Sequence, residues 1–424
     1  MIKREITKKI RPWLGKEKIL ILKGSRQVGK TTLLKQIEKE LAEKNPASAV
    51  VYLLADDLDN KPIFNSPASL ELYLKQFHGF PSKYIYLMID EFQVINQAGL
   101  FLKNIFDKYK SKLQLIVSGS SSLEITKNSE FLTGRAIHFD IARINFKEYF
   151  DFANQTETKR IDLEDFKKLV LFYQTLRPKL EVALKEYSIF GGYPEVITTR
   201  KAEDKKIILK SIIKTYIEKD IINFLKIENV SGFNNLIKIL SSQIGSLVNA
   251  NELSNTVNLA GNTLNKYLDI LAGTYIFNFV TPFYRNIRSE TSKMPKAYIL
   301  DLGIRNYLLR SFDFDTLNSS GTMGNIMENF VYLALLSQNP KDYLHFYRTI
   351  SGTEIDFVIE KENEKNILCE VKYRSKVKLP LTMKNFQKRY PDLIGQKIIV
   401  TKDLLKKESN VCYLPAVLLP FVKL

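Results

Sequence analysis

Cysteine is scarce in this chain: its 424 residues include two, Cys369 and Cys412, and only three histidines, His78, His138 and His345, which lie far apart. Without CxxC spacing or companion histidines, neither a disulfide framework nor structural zinc is expected, and a reducing cytoplasmic setting is. Trp13 is the single tryptophan, expected to pack a helix against a sheet. Long apolar runs are also missing. The strongest, "YLPAVLLPFV" near the C-terminus, is broken by Pro415 and Pro420 and falls well short of the roughly 20 residues a membrane-spanning helix needs. "MIKREITKKIRPWLGK" has no apolar core or cleavage site, so no signal peptide or membrane anchor is read there. Neither an internal repeat nor a low-complexity linker occurs. A chain of this length is nevertheless expected to divide into roughly two to four domains.

Negative charge is in deficit. Lys and Arg number 63 against 46 Asp and Glu, a net charge of +17. This favours a polyanionic partner, nucleic acid before an acidic membrane surface, although a solvated lysine-rich surface would give the same balance.

The stretch that carries chemistry comes early. "GSRQVGKTT", residues 24–32, fits G-x-x-x-x-G-K-[ST] and lies between an apolar strand, "KILILKG", and a helix, "KTTLLKQIEKEL". A phosphate cradle needs that order. Gly24 and Gly29 let the backbone of Ser25, Arg26, Gln27 and Val28 curl so that amides point at the β-phosphate, assisted by the helix N-terminus. Lys30 would reach the β and γ oxygens, Thr31 would ligate Mg²⁺, and Thr32 completes the ATP-binding loop. Further short apolar runs, "AVVYLLA", "YIYLMID", "LQLIVSG" and "AIHFDI", alternate with helical segments, as in a parallel sheet covered by helices.

"YIYLMIDEFQ" ends a buried strand in two acids. Asp90 is placed beside the metal and Glu91 becomes the candidate base for the attacking water. In "LIVSGSSS", Ser118 or Ser120 could orient that water or cap a loop. Arg135, in "FLTGRAIHFD", could reach a neighbouring subunit's γ-phosphate or form a local salt bridge. Farther on, Lys206, Lys210 and Lys214 form a basic helical stripe opposite Ile208, Ile212 and Tyr216.

Residues 231–310 read as helix-turn-helix followed by a hairpin, the winged-helix order. Asn262, Thr263, Asn265 and Lys266 open the second helix, where base edges would be met. The loop "YRNIRSETSKMPK" offers Tyr284, Arg285, Arg288, Lys293 and Lys296 as a wing for DNA phosphates. Winged helices also serve as protein-interaction modules.

"GSRQVGKTTLL", "IDEFQ", "SGSSS", "LTGR", "GGYPEV", "GNIMENFV", "EIDFVIE" and "EVKYR" occur in this order across almost the whole chain. Together they resemble a family of archaeal and bacterial AAA+ ATPases in which an AAA domain precedes a C-terminal region formerly of unknown function. The resemblance implies an α/β fold: a P-loop AAA+ domain (1–158), a helical lid (159–226), a winged helix (227–315) and a PD-(D/E)xK restriction-endonuclease-like domain (316–424). It also implies ATP bound between subunits of a homo-oligomeric ring, with a hexamer as one candidate. Lids of related ATPases often place arginine after a Gly-Gly-x-Pro turn, whereas Glu195 follows Pro194 here, and no second sensor is assigned.

In "EIDFVIE" and "CEVKYR", Glu370 and Lys372 are two apart and share a strand face, with Asp356 expected opposite. Glu328 on the preceding helix looks like a fourth member. Such a set could hold Mg²⁺ for phosphodiester cleavage, or be a cross-strand salt bridge; Ile355 stands where the motif's name has proline. Arg374, Lys376 and Lys378 would continue a positive row if the strand stays extended. The expected activity is Mg²⁺-dependent ATP hydrolysis coupled to remodelling of, or translocation on, DNA, including branched DNA, with a C-terminal domain that binds or cuts it. The alternative is a nucleotide-switch signalling ATPase that gates protein partners over an inert nuclease-like scaffold.

Overall fold

The computed structural model describes residues 2–119, 130–216, 227–283, 294–349, 351–362 and 364–424. The chain forms two compact units, Lys3–Ile144 with Gly273–Tyr275, and Asn145–Ala272 with Ile276–Leu424.

The first unit is built on a parallel sheet of β1 (Ile19–Lys23), β2 (Ala49–Leu54), β3 (Ile85–Asp90), β4 (Leu113–Gly119) and β5 (Ala136–Asp140), in the order β2-β3-β4-β1-β5. The central strands are predominantly apolar because helices cover both faces of such a sheet. Every residue of β3 and β4 is buried. Helices α1 (Lys30–Lys44), α2 (Pro67–His78) and α3 (Ala98–Tyr109) provide the crossovers. Leu102, Ile105, Leu70 and Leu74 pack with Leu87, Ile89, Leu115 and Val117 in one core. Trp13 departs from expectation. It is 39% exposed, and its contribution is a backbone carbonyl that accepts a 2.8 Å hydrogen bond from the buried Gln114 amide.

The second unit begins at Asn145, which caps α4 (Phe146–Ala153) in a reciprocal box with Glu148. Residues 145–272 and 276–424 share this unit. Aromatic packing supplies the reason. Phe146 lies 5.5 Å from Tyr187 of α5 (Phe166–Phe190), 5.1 Å from Phe330 and 6.1 Å from Phe421, centroid to centroid. "AVLLPF" near the C-terminus is wholly buried.

The GGYP turn ends α5. Gly191 has φ +74°, and a Cβ there would lie 2.3 Å from Asp301 Oδ1. Gly192 N–H donates to Asp301 Oδ2 at 2.7 Å, while Asp301 Oδ1 accepts from Ile304 N–H at 2.9 Å, capping α6 (Leu302–Leu309). Asn306 Nδ2 donates to the Ser188 and Ile189 carbonyls, which α5 leaves unpaired at its end. The double glycine thus lets a buried carboxylate join two helix ends.

Helices α7 (Val230–Ser242), α8 (Ala250–Val257) and α9 (Gly261–Gly273) precede an antiparallel pair, β6 (Phe277–Val280) and β7 (Lys296–Ile299). After α10 (Met323–Leu336), a second sheet contains β8 (Leu344–Arg348), β9 (Glu354–Ile359), β10 (Asn366–Lys372), β11 (Ile394–Thr401), β12 (Lys406–Glu408) and β13 (Val411–Pro415). Its order is β12-β13-β11-β10-β9-β8. The strands β8, β9 and β10 pair antiparallel, and β10 and β11 pair parallel around the crossover helix α11 (Leu381–Arg389). The strand β10 stops at Lys372, so Arg374, Lys376 and Lys378 are exposed loop residues and the expected row of charge along an extended strand is corrected. Among the described residues no helix is long and apolar enough to cross a membrane.

Candidate functional site

The loop after β1 turns back through two left-handed residues, Gln27 at φ 62° and Gly29 at φ 92°. Gly29 caps α1 without a side-chain acceptor, leaving the first helical amides available to an anion. Gly24 has a steric role as well, since a Cβ there would come within 2.3 Å of the Ile141 carbonyl oxygen. Arg26 and Gln27 are exposed at the loop tip, and Ser25 and Val28 are buried beneath it. Arg4, which no motif flagged, donates to the Val28 and Ala142 carbonyls at 3.0 and 2.6 Å, tying the loop to the strand edge.

Lys30 is buried inside the loop and donates to the Gly24 and Ser25 carbonyls at 3.0 and 2.9 Å. Burial lowers its pKa to about 8, against the opposing pull of Glu91 and Asp90. Thr31 and Thr32 are exposed at the start of α1. The strand order places Asp90 where three hydroxyls meet it: Thr31 Oγ1 donates to Oδ2 at 2.6 Å, Tyr52 Oη donates to Oδ2 at 2.9 Å, and Ser118 Oγ donates to Oδ1. Asp90 is fully buried, as is Ser118. A carboxylate oriented by hydroxyls, with the Thr31 hydroxyl beside it, is a hard oxygen donor set suited to Mg²⁺, so the residues fit the metal that accompanies ATP. Tyr52 was not anticipated. It lies on β2, which pairs directly with β3, and a sequence cannot show which strands are neighbours.

Glu91 takes a left-handed conformation at φ 53°, and its Oε2 accepts a hydrogen bond from Gln93 Nε2. Arg135 makes a two-pronged contact with Asp107, Nε to Oδ1 at 2.6 Å and Nη2 to Oδ2 at 3.0 Å. In this state the arginine is engaged within its own unit. Ser120 lies outside the described residues.

In the other unit, Asn262, Asn265 and Lys266 are exposed on α9, and Thr263 is half-buried, while Leu264, Tyr267 and Ile270 pack inward. Tyr284, Arg285, Arg288 and Lys293 lie outside the described residues. Lys296 departs from the wing reading. It is 1% exposed, and its ammonium lies 3.1 Å from Glu328 Oε1, 3.1 Å from Glu354 Oε1 and 3.7 Å from Asp356 Oδ1. An ammonium so buried cannot meet a DNA phosphate, and Lys296 is removed from the DNA-binding set.

The same contact alters the reading of the C-terminal carboxylates. Asp356 Oδ2 accepts from Val371 N–H at 2.8 Å, Glu370 Oε2 accepts from Asp356 N–H at 3.2 Å, and Lys372 Nζ lies 2.6 Å from Glu370 Oε1. Tyr298 Oη donates to Glu328 Oε1 at 2.7 Å. Burial, reinforced by Asp356, pushes Glu328 and Glu370 up to about 7, with lysines opposing the shift in each case. Burial alone would lower Lys296, but Glu328, Asp356 and Glu354 outweigh it and hold the ammonium above its ordinary value. Among the described residues, no group of three carboxylate, imidazole or thiol side chains is gathered so as to hold a metal. In this structure Glu328 and Asp356 are ion-paired with Lys296, and Glu370 with Lys372. Glu354 was missed, although it stands two before Asp356 and so shares its strand face.

Residues 16–150 match the AAA domain family. Residues 181–315 and 323–418 match two domains of unknown function, DUF8612 and DUF4143. Similar chains include the uncharacterized protein MJ1637 of Methanocaldococcus jannaschii, 25% identical over 94% of this chain and 84% of that one. The uncharacterized protein Rv2008c of Mycobacterium tuberculosis is 25% identical over 84% of this chain and 71% of its own length. Among solved structures, the replication initiator DnaA bound to AMPPCP and single-stranded DNA is matched over 63% of this chain and 89% of that one, at 16% identity and a TM-score of 0.29. The Pif1 helicase from Candida albicans is matched over 40% of this chain and 47% of that one, at 16% identity and a TM-score of 0.27.

Proposed function

We propose that this protein is a Mg²⁺-dependent ATPase that couples nucleotide turnover to binding and remodelling DNA. The observation that carries the ATPase reading is the meeting of Thr31, Tyr52 and Ser118 on buried Asp90 beside Lys30. Lys30 and the loop amides would hold the β and γ phosphates, Thr31 and Asp90 the Mg²⁺, and Glu91 would take the proton of the attacking water. The metal's chemistry is to neutralise charge on the phosphates during transfer. Arg135 would act across a subunit boundary in a homo-oligomeric ring, with a hexamer as the first candidate.

The DNA reading is supported by net charge +17, by the exposed polar face opening α9, and by exposed Arg374, Lys376, Lys378, Lys384 and Lys388 around α11. In this reading Asn262, Thr263 and Lys266 meet base edges, and Arg285, Arg288 and Lys293 meet phosphates. The order of three helices then a hairpin supports a winged helix, and the mixed sheet with α10 supports a nuclease-like fold. ATP turnover with and without single-stranded, duplex and four-way DNA, at two salt concentrations, tests the coupling. Stimulation that weakens with salt is expected; a rate indifferent to every DNA sinks it.

A second reading, a nucleotide switch that gates protein partners, is favoured by one observation. Both Glu91 and Arg135 are held in local contacts, with Gln93 and Asp107, which would suit slow turnover until a partner releases them. Stimulation by a protein partner but by no DNA would select it.

A further inference from the structure

The C-terminal carboxylates have the residue types of a metal centre, yet a cation from elsewhere in the chain already stands among them. Lys296 enters from β7, and its backbone is held on both sides. Lys296 pairs with Val280 of β6. On the other side, Gly245 N–H donates to the Ala297 carbonyl at 2.8 Å and Val248 N–H to the Pro295 carbonyl at 2.8 Å. Asn329 of α10 then bonds both the N–H and the carbonyl of Ile299 at 2.9 Å. A lysine on a surface loop could move away with its backbone; in this strand the backbone is paired on both sides and the side chain is buried among the carboxylates.

Its surroundings match an ammonium. Three oxygens from three carboxylates approach at 3.1, 3.1 and 3.7 Å, the Glu328 oxygen accepting a hydrogen bond from the ammonium, and the Phe346 ring lies 5.6 Å away. Mg²⁺ needs oxygens at about 2.0–2.1 Å, so the oxygens would have to close in on a point the ammonium occupies. A divalent ion beside it would also meet strong like-charge repulsion. Several other oxygens are engaged: Asp356 Oδ2 by Val371 N–H, Glu354 Oε2 by Arg348, and the two of Glu370 by Lys372 and Asp356 N–H.

We propose that Lys296 is a built-in cation standing where a divalent metal would, so that the cluster of Glu328, Glu354 and Asp356 takes no Mg²⁺ or Mn²⁺ and cuts no phosphodiester. The sheet then serves as a metal-free module, with the β6–β7 hairpin anchored to it by charge. This narrows the expectation of a C-terminal domain that binds or cuts DNA to binding alone. It is independent of the ATPase reading, because the test uses no nucleotide.

Mn²⁺ uptake by the full chain, stripped with chelator and carrying Asp90→Asn to silence the nucleotide site, is followed by electron paramagnetic resonance. Adding Asp356→Asn to this parent is expected to change nothing. Adding Lys296→Met is expected to create one site, at least tenfold tighter than any uptake by the parent, that Asp356→Asn then removes. A parent site lost on Asp356→Asn overturns the proposal, and so does a folded Lys296→Met protein that gains none. Should Lys296→Met fail to fold, by circular dichroism, the parent and Asp356→Asn proteins decide alone: equal uptake supports the proposal and a lost site overturns it. Mn²⁺-dependent nicking of supercoiled plasmid that Asp356→Asn abolishes also overturns it.

Discussion

The nucleotide loop and the C-terminal cluster use the same pair of residue types, a buried aspartate near a buried lysine, to opposite ends. Around Asp90 the partners are hydroxyls, and Lys30 is drawn off onto two backbone carbonyls. Neither group is paired with the other here. Around Asp356 the partner is Lys296 itself, and the charges are spent on each other. What separates a site for an outside ion from a closed ion pair is the source of the compensating charge. Buried charges need compensation; hydroxyls orient a carboxylate without neutralising it, whereas an ammonium neutralises it.

The comparison can be broken at its strongest points first. Lys30→Ala should lower ATP turnover by about 10²–10³, as loss of a preorganised phosphate donor does, with the fold intact by circular dichroism. Glu91→Gln should retain ATP binding and lose about 10²–10⁴ in turnover; equal losses of binding and turnover would deny Glu91 the role of base. In the other unit, Lys296→Ala should cost about 3–5 kcal/mol in denaturant unfolding, because it leaves buried carboxylates without their cation. Lys372→Ala, at a half-buried pair, should cost about 1–2 kcal/mol.

A pH series sharpens the contrast further. The Lys30 pKa is lowered in the folded state from 10.5 to about 8. Its ammonium is therefore present below about pH 8 and lost above, and nucleotide affinity measured by fluorescence titration should fall as pH rises through that value. The stability effect has the opposite sense. The cost of burying the ammonium is full below about pH 8 and disappears as pH climbs towards the unfolded value. The smallest expected effect belongs to Arg135→Ala. Its contact with Asp107 is at the surface, so the melting temperature should barely move. If the arginine serves a neighbouring subunit, turnover should lose its dependence on protein concentration.

Much of the first unit was legible because its signals are local. A glycine loop between strand and helix, and a strand ending in Asp90, require only neighbours in the chain, and the five strand candidates match β1–β5 to within about two residues at each end. Of the C-terminal strands, β9 and β10 were legible for the same reason, and β12 and β13 were not read. Tyr52, Arg4 and Glu354 were not, because their roles depend on strand order and on contacts far apart in the chain. Lys296 is the clearest case: among the lysines and arginines of "YRNIRSETSKMPK" nothing marks it off, and local composition suggested a basic loop. Its burial follows from β7 pairing on two sides.

The sequence alone determined the phosphate loop, the alternation that makes a parallel sheet and the positive balance. These depend on residue type and short-range order. Only the tertiary structure decided which carboxylates remain available. A charge's availability depends on what packs within a few ångströms of it, and for Glu328, Glu354 and Asp356 that neighbour comes from a different strand, tens of residues away in the chain.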